Sequence, residues 1–198
     1  MSYDIYAYRT TLPVADSSAA SAFLESLEAS EESGSPVWTD EDRARRDGIA
    51  AALRAHNPSL SVFEFDYAQI AKLENITEDQ ARTRFQYAEL NPAESDLEQG
   101  RALAIQLTVE REHVFLTTPY WYKGKDVDQV FDQMLGYLRL LRKTAGYFAY
   151  DPQTETAFDP LAVSMLDSSK YRETMEALPR IASKAEFGQK PRPWWRFW

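Results

Sequence analysis

The sequence predicts an α+β fold: a mainly antiparallel sheet flanked by helices, with a C-terminal helix and an aromatic tail. Three observations carry that prediction. Residues 2–9 alternate, with Tyr3, Ile5 and Ala7 facing one way and Asp4, Tyr6 and Tyr8 the other, as a strand requires. Leu103, Ile105, Leu107 and Val109 alternate with Ala104, Gln106 and Thr108, polar residues 110–113 turn the chain, and residues 114–118 return, which is a hairpin pattern. Residues 126–145 place Val127, Val130, Phe131, Met134, Leu138 and Leu141 on the helical repeat.

The other elements follow in order. Residues 2–9 open the chain as a strand with aromatic residues on both faces. Residues 15–29 read as a helix with Ala20, Phe23, Leu24 and Leu27 on one stripe, and residues 30–36 as a polar loop. Thr39-Asp-Glu-Asp is a capping box that starts a helix, with acids at its positive end, running to His56 and stopped by Asn57-Pro58. Residues 62–67 alternate Phe63, Phe65 and Tyr67 with Glu64 and Asp66, so a strand is expected there. Residues 68–74 form a short helix. Thr77-Glu-Asp-Gln caps another that runs to Tyr87, and residues 91–100 are an acidic loop. After the hairpin, Pro119 ends the pairing. The long helix collects Arg139, Arg142 and Lys143 at its negative end, and Gly146 stops it. Residues 147–150 and 156–158 pair around a turn at residues 151–154, and a last helix spans residues 169–187 with a kink near Pro179.

A chain of 198 residues is read as one domain over residues 1–187 and a basic aromatic tail over residues 188–198. With 44% hydrophobic and 27% charged residues it has a globular composition, and a domain this size buries roughly 70% of its surface without a metal or disulfide staple. It contains no Cys, which excludes disulfides, thiol catalysis and thiolate metal sites. The sequence shows neither a secretory signal nor an apolar run of the roughly 20 residues a membrane span needs, so a cytoplasmic protein is expected. The net charge is −9. Lys190, Arg192 and Arg196 stand in a tail without acids, which leaves 19 basic against 31 acidic residues, or −12, for residues 1–187. Such a body repels nucleic acid and attracts basic partners.

Little points to catalysis. There are two histidines: His56 at a helix end and His113 in the hairpin turn, both read as exposed surface residues. The Gly-x-Ser-x-Gly elbow, His-x-x-x-His metal spacing and a phosphate-cradling glycine loop are all absent, so no catalytic, cofactor or metal residue is assigned. The one enzymatic route is a carboxylate pair in a tyrosine-lined cleft, drawn from Asp4, Glu64, Asp66, Glu89 and Asp151. Glu64 and Asp66 would share a strand face at about 7 Å, a spacing that suits a carboxylate-dependent hydrolase and equally a solvated face.

The candidate interaction residues are aromatic. Tyr120, Trp121 and Tyr122 lie between the hairpin and the long helix, as a binding platform or as rings closing the core. Residues 190–198, Lys-Pro-Arg-Pro-Trp-Trp-Arg-Phe-Trp, gather Trp194, Trp195, Arg196, Phe197 and Trp198. This tail needs a surface: its own domain, a protein partner or a lipid headgroup layer. The acidic body makes its own domain the nearest complementary surface.

The opening Met-Ser-Tyr-Asp-Ile-Tyr and the late Gly146-Tyr-Phe-Ala-Tyr-Asp-Pro-Gln resemble small bacterial proteins, some of them similar to immunity proteins of toxin–immunity systems. That resemblance covers the two ends of the domain and transfers no catalytic residue. It implies a non-enzymatic intracellular protein that binds a toxin domain and neutralises it by occlusion. The alternative readings are a peripheral membrane or complex adaptor using the tail, and the carboxylate-dependent hydrolase.

Overall fold

The computed structural model describes residues 2–33 and 37–182. Seven strands form one sheet: β1 (Ser2–Tyr8), β2 (Leu60–Val62), β3 (Ala88–Pro92), β4 (Gln106–Val109), β5 (His113–Pro119), β6 (Phe148–Asp151) and β7 (Thr156–Phe158). Their order is β2-β3-β4-β5-β1-β6-β7 and every pairing is antiparallel. The expected α+β class therefore holds. The helices are α1 (Ser17–Ser33), α2 (Asp40–His56), α3 (Tyr67–Glu74), α4 (Glu78–Arg84), α5 (Glu94–Glu98), α6 (Lys125–Ala145) and α7 (Ser169–Ala182).

The two faces of the sheet are covered unequally. Tyr3, Ile5 and Ala7 of β1 point to an inner face with Leu90, Leu107, Val109, Val114 and Leu116, under α2 and α6. The apolar stripe predicted for α6 is buried there, from Val127 to Leu141. Its end follows the expected chemistry: Gly146 takes the left-handed conformation at φ 74° and donates its N–H to the Arg142 carbonyl. The Thr39 hydroxyl accepts from the Asp42 N–H and the Asp42 carboxylate accepts from the Thr39 N–H, the reciprocal box read in the sequence. On the outer face α1 covers only one end, where Ala20, Phe23 and Leu24 pack on Tyr8, Phe148 and Tyr150.

Six expectations need correction. The polar loop expected over residues 30–36 starts later, because α1 continues to Ser33, and residues 103–105 precede β4 instead of forming its first half. Residues 63–66 are not strand: β2 stops at Val62, and Asp66 turns its carboxylate onto the Gln69 N–H to cap α3. The helix capped by Thr77 ends at Arg84 rather than Tyr87, because residues 88–92 are recruited as β3 between β2 and β4. The acidic loop contains the short α5. His113 belongs to β5 instead of the turn, and it is half-buried rather than exposed. The last helix is not interrupted at Pro179, through which α7 runs on to Ala182. Its expected end at residue 187 and the domain–tail boundary at residues 187–188 lie outside the described residues, which stop at Ala182 and leave out the side chains of residues 178–182.

Candidate functional site

The open part of the outer face is built by strand register. Glu89 pairs with Thr108, Thr108 with Phe115, Phe115 with Tyr6, and Tyr6 with Tyr150, so these five side chains form one row across five strands. One pleat period along, Gln106, Thr117 and Asp4 form a second row, with Asn91 two residues beyond Glu89. In the other direction Tyr87, Glu110, His113 and Tyr8 form a third. These positions carry three carboxylates, Asp4, Glu89 and Glu110, and no Lys or Arg. An antiparallel sheet commonly solvates one face, and here that face is acidic and aromatic.

Two walls border this floor. On one side stands α1, with Phe23 edge-on to His113 at 6.0 Å. On the other stands an aromatic cluster: Phe65 lies 5.2 Å from Phe63, 6.0 Å from Phe85 and 5.1 Å from Tyr87. The Phe63 N–H donates to the Glu89 carbonyl at 2.8 Å, which ties that cluster to β3. The result is a trough with Tyr6 and Phe115 at its centre, their rings 4.8 Å apart. At the α1 end, Tyr8, Arg9, Thr10, Ala19, Phe23 and Glu112 line a cleft of about 430 Å³.

Partial burial tunes the floor. Removal from water pushes the Asp4 carboxyl above its ordinary range, against hydrogen bonds from Ser2 and from the Thr117 hydroxyl at 3.0 Å. Glu89 is raised for the same reason, opposed by the Asn91 amide at 2.7 Å. The Tyr87 phenol is pushed up to about 12 by burial and then by the charges of Glu89 and Glu110. Burial lowers His113 to about 4, and its Nδ1 has no partner among the described residues. Neither Asp4 nor Glu89 has a salt bridge among the described residues, whereas Glu112 sits within 3.7–4.0 Å of Arg9, Arg45 and Arg111.

The carboxylates named from sequence do not converge. Glu64 and Asp66 stand in an exposed connection, and Asp66 is spent on capping α3. Asp151 is buried against the Tyr3 hydroxyl and accepts the Gln153 and Thr154 N–H groups at 2.9 and 3.4 Å, so the turn does not present it. Asp4 and Glu89 are three strand steps and one pleat period apart, roughly 16 Å at ~4.8 Å per step, farther than the carboxyl pair of a glycosidase. Among the described residues no group of three His, Asp or Glu side chains could hold a metal. Among them, too, no helix is long and apolar enough to cross a membrane.

The Tyr120–Tyr122 segment divides. Tyr120 stacks on Tyr171 of α7 at 4.9 Å, and the Tyr122 hydroxyl accepts the Ala104 N–H at 2.6 Å, so both close the end of the core. Trp121 alone among them is exposed, at 42%. Trp194, Trp195, Arg196, Phe197 and Trp198 lie outside the described residues. Sequence reading singled out Asp4 and Glu89 and missed Tyr6, Phe115 and Glu110 as their neighbours. The available signal was the alternation itself, since each stands between residues bound for the core. Comparison with protein-family models, curated proteins and solved structures finds no match.

Proposed function

We propose that this chain is a non-enzymatic bacterial binding protein that uses its acidic outer face to occlude a basic surface of a protein partner in the cytoplasm, in the manner of an immunity protein against a toxin domain. The observation that carries this reading is the trough floor, with three carboxylates and no Lys or Arg at its row positions. Carboxylates held partly out of water cost stability unless a cation is brought to them, and a basic partner supplies one. Such complementarity gives fast, salt-sensitive association and rejects acidic competitors.

Size argues that the walls take part. A floor about five strands wide and five residues long covers roughly 300 Å², whereas a standard interface needs about 800 Å² per partner. Both flanks offer apolar side chains for the remainder. Leu12 and Val14 are 42% and 65% exposed before α1, and Phe63 is 41% exposed at the aromatic wall. A charged floor rimmed by such anchors matches the division between steering charges and desolvated hot spots.

The test is co-expression with the product of the adjacent gene, followed by affinity measurement at two salt concentrations. A stoichiometric complex should form, weaken with salt, and lose at least tenfold in affinity on Asp4→Asn/Glu89→Gln/Glu110→Gln. Absence of a complex, or one indifferent to both changes, overturns the proposal.

A further inference from the structure

We infer that the trough is the docking site of this chain's own C-terminal segment, residues 190–198, which occupies it in cis until a partner displaces it. The inference rests on reading the outer face as a binding surface, and it names the first ligand of that surface.

Charge is the first argument. Residues 188–198 carry Lys190, Arg192 and Arg196 and no Asp or Glu, while the trough floor carries Asp4, Glu89 and Glu110 and no Lys or Arg. The segment is thus the complement of the floor in sign, and its four aromatic residues answer the Tyr6–Phe115 pair and the Phe63–Phe65–Tyr87 wall.

Spacing is the second. Lys190 and Arg192 each precede a proline, which biases both towards extended backbone. In extended chain Arg192, Trp194 and Arg196 share a face, and the two arginines stand about 13 Å apart. On the floor Glu89 and Asp4 are separated by three strand steps and one pleat period, roughly 16 Å, and Phe115 lies between them. Two guanidinium groups on long side chains reach both carboxylates while the Trp194 indole meets Phe115 and Tyr6. Arginine suits this role, because its planar fork pairs a carboxylate through two donors and stacks on rings.

Reach is the third. Tyr171, in the first turn of α7, contacts Tyr120, which directly follows the Ser2–Pro119 pairing at the end of the sheet that holds Asp4. From Ala182 to Arg192 ten residues span up to roughly 35 Å when extended, against a domain radius of gyration near 16 Å. Tethering over so short a length gives an effective concentration in the millimolar range, so a weak contact suffices to fill the trough.

The experiment uses full-length chains and a fluorescein-labelled synthetic peptide of residues 190–198, followed by anisotropy. Arg192→Glu/Arg196→Glu frees the trough without touching the folded domain, so this chain should bind the peptide at least tenfold more tightly than wild type. Adding Asp4→Asn/Glu89→Gln should remove that binding at least tenfold, with a thermal melt confirming a folded chain. Equal peptide binding by wild type and the arginine variant overturns the inference, as does binding that ignores Asp4 and Glu89. Concentration-dependent dimers of wild type that the arginine variant lacks assign the segment to a second copy, and co-sedimentation with anionic vesicles lost in that variant assigns it to lipid. Either result overturns docking in cis. Partner binding that depends on Asp4 and Glu89 leaves the proposed function standing even if the peptide results go against the tail.

Discussion

The hydroxyl of Tyr3 donates a hydrogen bond to the Asp151 carboxylate inside the protein, joining the first strand to the end of the sixth across 148 positions of sequence. Both residues are almost wholly buried, at 0% and 6% exposure. Burial, and then the neighbouring carboxylate, raise the Tyr3 phenol; burial raises Asp151. Tyr3→Phe leaves Asp151 buried with one acceptor unmet, and should destabilise the fold by about 1–3 kcal/mol in urea titrations. Asp151→Asn keeps Oδ1 as acceptor for the Gln153 N–H and presents an amide N–H that the Tyr3 hydroxyl oxygen can accept, and should cost less.

Asp4 and Glu89 are expected to act against stability. Their folded-state pKa values lie above the unfolded ones, so the folded chain holds extra protons just above the ordinary carboxylate range. With no cation brought to them, stability therefore falls as pH rises through that window, and at pH 7 both groups are a net cost. In the Arg192→Glu/Arg196→Glu chain, whose tail no longer fills the trough, adding Asp4→Asn/Glu89→Gln should raise the melting temperature at pH 7 by about 2–4 °C, the shift that about 1 kcal/mol produces in a domain this size. The gain should vanish at pH 3, and thermal melts at the two pH values check both statements.

His113 gives a slope in the acid direction. Its folded-state pKa of about 4 lies below the ordinary 6.5, because burial disfavours the charged ring. The unfolded chain then binds the extra proton between these values, and stability drops as pH falls from 6.5 to 4. The loss should be on the order of 3 kcal/mol and should disappear in His113→Leu, which urea titrations at pH 7 and pH 4.5 will resolve.

Thr39 anchors α2, whose Ile49, Ala50 and Leu53 are buried in the core. Thr39→Ala removes the acceptor for the Asp42 N–H and should cost about 1 kcal/mol, read as a lower urea midpoint at unchanged slope.

What sequence revealed was set locally. The α2 box and the α6 repeat with its Gly146 stop carry their signal within a few residues and formed where expected, and the hairpin formed with its first strand shortened to residues 106–109 and His113 moved from the turn into β5. Strand β3 escaped because Ala88-Glu-Leu-Asn-Pro has weak strand preference, and neighbours on both sides decide its state. At residues 63–66 alternation imitated a strand, but Asp66 does more as a helix cap. The candidate site was legible only as separate residues. Asp4 and Glu89 belong to one face because β4 and β5 lie between them in register, and register is a property of the assembled sheet.

Strand β1 sits between β5 and β6, and its Asp4 meets Thr117 across 113 positions. Strand β1 therefore leaves a ribosome long before either of its neighbours in the sheet. Until residues 113–119 and 148–151 have been synthesised, its alternating Tyr and Ile side chains have no sheet to join. The nascent chain thus carries an exposed, sticky strand from the synthesis of β1 until that of β5, which makes slow sheet closure and chaperone capture its natural companions.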